Sequence, residues 1–346
     1  MKATYKKYLL NFKKPSGTSR GILTQKETWF LILEENGKKG IGECGLLRGL
    51  SVDDRPDYED KIKWVCDNIH LGKDFLWDNL IEFPSIQFGV EMAFLSIEAQ
   101  NPFVLFPSSF TEGIQSIPIN GLVWMGDVDY MKQQIEDKIA QGFACIKMKI
   151  GAIDFEKEFH LLQLIRQNFS PQQIEIRVDA NGAFKPDEAM LKLERLSSLD
   201  IHSIEQPIAK NQIDIMAQLC QKSPLPIALD EELIGIFTYE EKQILLEEIR
   251  PQYIILKPSF IGGIRGTNEW ISLADKYGIG WWVTSALESN IGLSAIAQYT
   301  FTKTTLIPQG LGTGALYTNN FDSPLAVKSG KLFYEPIEKW EVESVF

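Results

Sequence analysis

What most constrains this chain is a rhythm that sets in near residue 116. Short apolar runs recur, and their last strand-like residues are Trp124, Lys149, Asp179, Glu205, Asp230, Lys257, Ser285 and Gly312, spaced 25 to 30 residues apart. Helical patterns lie between the runs. In "DFEKEFHLLQLIRQNF", for example, Phe155, Phe159, Leu162 and Ile165 fall roughly on one face. A strand, a helix and two loops fill such an interval, and eight repetitions predict a (β/α) barrel. A doubly wound open sheet competes, but no glycine-rich phosphate loop follows the first run.

The flanks have a different texture. "ETWFLILEENGKKGIGECG" predicts two strands joined at Asn36-Gly37, and helical patterns follow near 56–70 and 87–99. Residues 1–115 are therefore expected to form an α+β unit, and residues 116–314 the barrel. Residues 315–346 make a C-terminal segment, with a hairpin around Ser329-Gly330, that returns to the N-terminal unit. "KKPSGTSRGI" reads as a mobile loop, either a solvated connection or a lid over a site.

The middle runs are apolar until they end on an ionisable residue: Lys149, Asp179, Glu205, Asp230 and Lys257. In a parallel barrel those ends share one mouth, where barrel enzymes place their chemistry. Three clustered carboxylates would repel one another and raise their own pKa values unless a cation sits among them. Oxygen ligands without histidine or thiolate favour a hard ion such as Mg²⁺. Each acid could instead cap the helix that follows, a role that suits Asp179 and Asp230 better than Glu205 in "SIEQP".

Lys147 and Lys149 share one face of "CIKMKIG" because strand side chains alternate. On an edge strand they would face water. In the second strand of a parallel barrel both faces are covered, so the lysines must face the interior. Two close ammoniums lower each other's pKa, leaving one able to act as a base near neutral pH. Lys257 enters from the sixth strand, across the barrel. The set suits a carboxylate substrate bound to a metal. A lysine removes the proton from the carbon beside that carboxylate, and the metal stabilises the dianion.

Bulk properties narrow the partners. The net charge of -11 disfavours nucleic-acid binding. No apolar run reaches the length of a membrane span, and "MKATYKKYLLNFKK" lacks a signal-peptide core. Cys44, Cys66, Cys145 and Cys220 are far apart, which argues against a disulfide framework or a thiolate metal site. The expected protein is cytoplasmic, takes a small carboxylate substrate, and binds neither nucleic acid nor membrane. Its oligomeric state is left open.

At this point the chain resembles the enolase superfamily, in its muconate-lactonizing subgroup. The motifs are "KMK" at 147–149, "RVDANGAF" at 177–184, "IEQP" at 204–207, "LDE" at 229–231 and "LKPSFIGG" at 256–263. The resemblance implies an α/β fold: a modified (β/α)7β TIM-like barrel with an α+β capping domain built from the N-terminal segment and the C-terminal tail. It implies Asp179, Glu205 and Asp230 as ligands of Mg²⁺, with Mn²⁺ as a substitute. Lys149 would be the acid/base, Lys147 the lysine that tunes it, and Lys257 a second acid/base or a cation supporting the enolate.

Among reactions of the subgroup, the resemblance is nearest to members that dehydrate 2-succinyl-6-hydroxy-2,4-cyclohexadiene-1-carboxylate to 2-succinylbenzoate in menaquinone biosynthesis. Racemisation of N-acylamino acids is the alternative. Dipeptide epimerases of this kind resemble one another in a D-x-D pair near the eighth strand, whereas "LIPQGLGTGA" contains no acid. Ser285, a helix N-terminus near Asn290 and the backbone around Gly312 suit an anion such as a succinyl carboxylate. Arg20 and Arg48 are further candidates for that carboxylate, or simply solvated residues.

Overall fold

The computed structural model describes residues 1–18, 21–303, 306–342 and 345. The N-terminal unit is an antiparallel sheet of β1 (Lys2–Thr18), β2 (Gly21–Glu35) and β3 (Lys38–Cys44), followed by α1 (Tyr58–Asp67), α2 (Lys73–Asp78) and α3 (Pro84–Glu98). Asn36 and Gly37 both take positive φ, 51° and 77°, as a two-residue turn matched to strand twist requires. Helix α3 presses closely on β3: a Cβ at Gly42 would lie 1.9 Å from the Gly89 carbonyl oxygen. The segment expected as a mobile loop is mostly strand. Ser16, Gly17 and Thr18 pair with Leu23, Ile22 and Gly21 beyond a register shift after Asn11. Backbone pairing there wins over the Gly/Ser-rich composition.

The barrel begins with β4 (Ile117–Pro118) and β5 (Gly121–Val123). It continues through α4 (Val128–Ala140), β6 (Cys145–Lys149), α5 (Phe155–Asn168), β7 (Glu175–Asp179), α6 (Pro186–Ser197), β8 (Ser203–Glu205) and α7 (Ile213–Lys222). Then come β9 (Ile227–Leu229), α8 (Tyr239–Ile249), β10 (Tyr253–Leu256), α9 (Gly263–Tyr277), β11 (Gly280–Val283) and α10 (Asn290–Phe301). Strands β5 to β11 form one seven-stranded parallel sheet in chain order. The eighth unit is not a full strand. Among the described residues the circle closes through two parallel bridges, Ile119 to Gln309 and Thr284 to Gly310. Pro308 lacks an N–H, and Gly310 and Gly312 offer no side chain to pack, so pairing there stays short. Thr304 and Thr305 of that run lie outside the described residues.

The C-terminal segment touches both units. Phe12 bridges Tyr317, and Asn11 N–H donates to Asn319 Oδ1 at 2.8 Å. The hairpin of β12 (Leu325–Lys328) and β13 (Lys331–Tyr334) turns at Ser329-Gly330 and pairs with β4 at the start of the barrel. Beneath the mouth, the barrel interior is plugged by Arg177, stacked 4.2 Å from the Trp282 ring centre and donating to Glu175 and to the Pro308 carbonyl.

Candidate active site

Parallel register sets Lys149, Asp179 and Glu205 side by side, since β6 pairs Lys149 with Asp179 and β7 pairs Asp179 with Glu205. Their side chains interleave as cation and anion. Lys149 Nζ donates to Asp179 Oδ2 at 2.9 Å and to Asn181 Oδ1 at 2.7 Å. Lys147 Nζ lies 2.9 Å from the same Asp179 oxygen and donates to Glu205 Oε2 at 2.5 Å. Lys257 Nζ bonds Asp230 Oδ2 and stands 3.8 Å from Glu205 Oε1. All five side chains of the strand-end pattern, together with Lys147, therefore meet in one chain of charges.

Burial would push an isolated carboxylate up, yet the ammoniums of Lys147, Lys149 and Lys257 hold Asp179 far below the usual carboxylate range. Glu205 goes the other way, up to about 7, because burial and the neighbouring Asp179 charge outweigh Lys147. Lys147 was expected to share a mutual depression with Lys149. Burial does favour that, but Asp179 and Glu205 overcome it and hold Lys147 well above the ordinary lysine value. For Lys257 the acids Asp230 and Glu205 likewise prevail over burial.

The backbone supports this geometry at a cost. Asn181 and Gln206, just beyond Asp179 and Glu205, adopt φ of 44° and 41°, a region sparsely used by side-chain-bearing residues. Asn181 thereby reaches Lys149 and, through Nδ2, Glu231. Gln206 Oε1 accepts from the N–H groups of Asp230 and Glu232 and so fixes the end of β9. Sequence reasoning missed both residues; each follows a charged strand end by one or two positions, which was the only available signal.

Among the described residues, no group of three or more His, Cys, Asp or Glu side chains is gathered around one point in the manner of metal ligands. The lysine ammoniums stand between the acids instead. The donor set nonetheless fits a hard divalent cation: all donors are carboxylate oxygens on successive strands, and buried Glu205 Oε1 has no hydrogen-bond partner.

Above the charges lies a cavity lined by Lys147, Lys149, Lys257 and Asp179, with an apolar wall of Leu23, Leu47 and Leu50 from the N-terminal unit, Leu287 from the barrel and Leu316 from the C-terminal segment.

The model of the family "Enolase C-terminal domain-like" matches residues 130–335. A curated relative from Desulfotalea psychrophila, named o-succinylbenzoate synthase, is 48% identical, covering 96% of this chain and 98% of the relative. The chain belongs to the enolase superfamily. A crystal structure of MenC from the same organism superposes with a TM-score of 0.86 at 44% identity, covering 96% of this chain and 99% of that one. An L-Ala-D/L-Glu epimerase from Bacillus subtilis, 20% identical with a TM-score of 0.83, shares the superfamily fold.

Around this superfamily core, the remaining candidates separate. Ser285 and Gly312 both line the cavity. The Ser285 hydroxyl pairs with Thr313 Oγ1 at 2.7 Å and accepts from Leu287 N–H. The α10 N-terminus near Asn290 is already taken. Glu43 of β3 accepts from Ser289 and Gly292 N–H, so an interdomain carboxylate fills the place expected for a substrate anion. Arg48 is bound to Glu27 and Asp54, outside the cavity lining. Arg20 lies outside the described residues. Among the described residues, no helix is long and apolar enough to cross a membrane.

Proposed function

We propose that the chain is an o-succinylbenzoate synthase acting in menaquinone biosynthesis, dehydrating 2-succinyl-6-hydroxy-2,4-cyclohexadiene-1-carboxylate to 2-succinylbenzoate. The observation that carries the reading is the alternating array from Lys149 to Asp230 beneath a leucine-walled cavity. The near-full-length relative of that name supports the choice of reaction.

Asp179, Glu205 and Asp230 would hold Mg²⁺, or Mn²⁺ in its place, becoming partners of the ion rather than of the lysines. The ion supplies positive charge for the substrate carboxylate as its neighbouring carbon is deprotonated. Lys149 takes that proton. The electron pair moves into the ring, the bond to the 6-hydroxyl breaks, and Lys149 returns the proton to the departing oxygen as water. Lys149 is thus regenerated. Aromatisation makes the step downhill, so the protein needs little beyond charge stabilisation and aim. Lys147, two residues below Lys149 on the same strand face, tunes it from beneath. Lys257 faces the same cavity and supports the delocalised anion. The leucine wall excludes water from the ring.

Lys149 and Lys257 lining one cavity also favour a second activity, racemisation of N-acylamino acids. Purified protein with Mg²⁺ should convert the cyclohexadiene to 2-succinylbenzoate, followed by absorbance. Washing solvent deuterium into N-acylamino acids without that conversion would assign a racemase instead. Full turnover in EDTA would remove the metal from the reading.

A further inference from the structure

One buried ammonium stands apart from the catalytic array. Lys26 of β2 is 3% exposed, and its Nζ has no hydrogen-bond partner. A Cβ at Gly45 would lie 3.6 Å from Lys26 Nζ, 3.2 Å from Glu288 Cγ and 3.3 Å from Ser259 Oγ. The ammonium is therefore enclosed where the end of β3 meets the loops that follow β10 and β11. Burial lowers the Lys26 pKa, and the charges of Glu43 and Glu288 oppose that. Burial raises the Glu288 carboxyl in turn, and Lys26 is the foremost charge acting against it.

The two acids grip the wall of the substrate cavity. Glu288 Oε1 accepts from the Ser259 hydroxyl at 2.6 Å, and Oε2 from the Ala286 N–H at 2.7 Å. Ser259 stands two residues beyond Lys257, and Ala286 and Leu287 line the cavity. Glu43, from the other unit, accepts from Ser289 and Gly292 N–H. The acids are neighbours: a Cβ at Gly292 would lie 2.7 Å from Glu43 Oε2 and 2.9 Å from Glu288 Cβ. Together they hold both ends of the stretch 286–292. Leu287 within it has a φ of 63°, a conformation that persists only when its surroundings enforce it.

We propose that Lys26 is a positioning residue: its charge, set beside Glu43 and Glu288 at the seam of the two units, keeps the stretch 286–292 and the segment after Lys257 where the substrate cavity needs them. Lys26 does not line that cavity and acts only through the two acids. Without the ammonium, two buried carboxylates would face each other uncompensated, and repulsion would add to their lost hydration. One would take up a proton or draw away, and either change slackens the hold on Ala286 and Ser259. The role goes beyond the synthase reading, which supplies only the assay.

The test removes the charge and then rebalances it, in the full chain with Mg²⁺. Lys26→Met keeps the stem and should raise KM for the cyclohexadiene about ten- to thirtyfold, with kcat within about threefold. Glu288→Gln keeps an acceptor for the Ala286 N–H and should leave KM within about threefold. The double variant, in which Glu43 alone stays charged, should bring KM back to within about threefold of the parent. A purely structural role for the stem predicts no such rescue. No rise in KM in Lys26→Met, or a double variant as impaired as Lys26→Met, overturns the proposal. If Lys26→Met does not fold, the double variant decides: a folded, active double supports the charge role, and one that also fails to fold overturns it. An unmodified protein inactive on the cyclohexadiene removes the synthase reading alone, and the same variants are then compared by deuterium exchange into N-acylamino acids.

Discussion

Two sets of buried carboxylates separate the effect of burial from that of a counter-charge. At the barrel mouth, Asp179 is fully buried and held far below the usual carboxylate range by three ammoniums. In the N-terminal unit, Asp53 and Glu91 are nearly as buried and move up, to about 6 and about 7. Asp53 Oδ2 accepts from Ser85 N–H and hydroxyl, and its other oxygen has no partner. Glu91 accepts from the Ile264 and Arg265 N–H groups at the start of α9. Hydrogen bonds from neutral donors do not offset the lost hydration of Asp53 and Glu91, whereas three ammoniums together do so for Asp179; at Glu205 and Asp230, where neighbouring acids add repulsion, burial still prevails over the lysines. The N-terminal acids thus join and brace elements, while the mouth keeps its charge available for chemistry.

The largest effect that would sharpen this contrast is at Lys149. Lys149→Ala should lower dehydration by about a thousandfold or more with an unchanged circular dichroism spectrum. Substantial residual turnover would hand the proton transfer to Lys257. Next is Asp179→Asn, which strands Lys147 and Lys149 beside a neutral amide. It should cost roughly 3 kcal/mol in urea unfolding and abolish Mg²⁺ binding by calorimetry. A variant as stable as the parent would show that the ammoniums do not depend on that acid.

The N-terminal acids predict the opposite kind of response. The folded-state pKa of Asp53 lies above its unfolded value, so the folded protein holds this proton more tightly. The resulting stability is full below about pH 4 and is lost as pH rises through about 6. The loss is on the order of 3 kcal/mol. Asp53→Asn should flatten urea midpoints measured across that window, leaving the slope from Glu91 that extends toward pH 7. A slope unchanged in the variant would disprove the assignment to Asp53. The smallest effect concerns Leu287, whose φ of 63° is braced by Tyr317 hydroxyl donating to its carbonyl at 2.7 Å. Tyr317→Phe should cost about 1 kcal/mol and raise KM modestly as the wall loosens. An unchanged KM would make that contact purely structural.

Much of the barrel could be read from periodicity, because a parallel strand buried on both faces leaves a short apolar run, and its polar end marks the mouth. Lys149, Asp179, Glu205, Asp230 and Lys257 stood out for that reason, and Lys147 because it shares a strand face with Lys149. The stretch around Arg20 misled, since glycine and serine signal a loop only where no neighbouring strand supplies backbone partners, and here Ser16, Gly17 and Thr18 find them. The helix start near Asn290 misled for a related reason: Glu43, far away in sequence, arrives through the docking of the N-terminal sheet and takes its N–H groups.

Spacing and side-chain alternation, which are local properties, were enough to specify a barrel, to turn Lys147 and Lys149 inward, and to place three acids beside them. Which acid faces which lysine was settled only by strand register, and the upward direction at Lys147 only by the acids packed against it. The leucine wall from residues 23, 47 and 50 arises where distant segments meet. No local pattern encodes such meetings, because long-range packing and the field of neighbouring charges exist only once the chain has closed on itself.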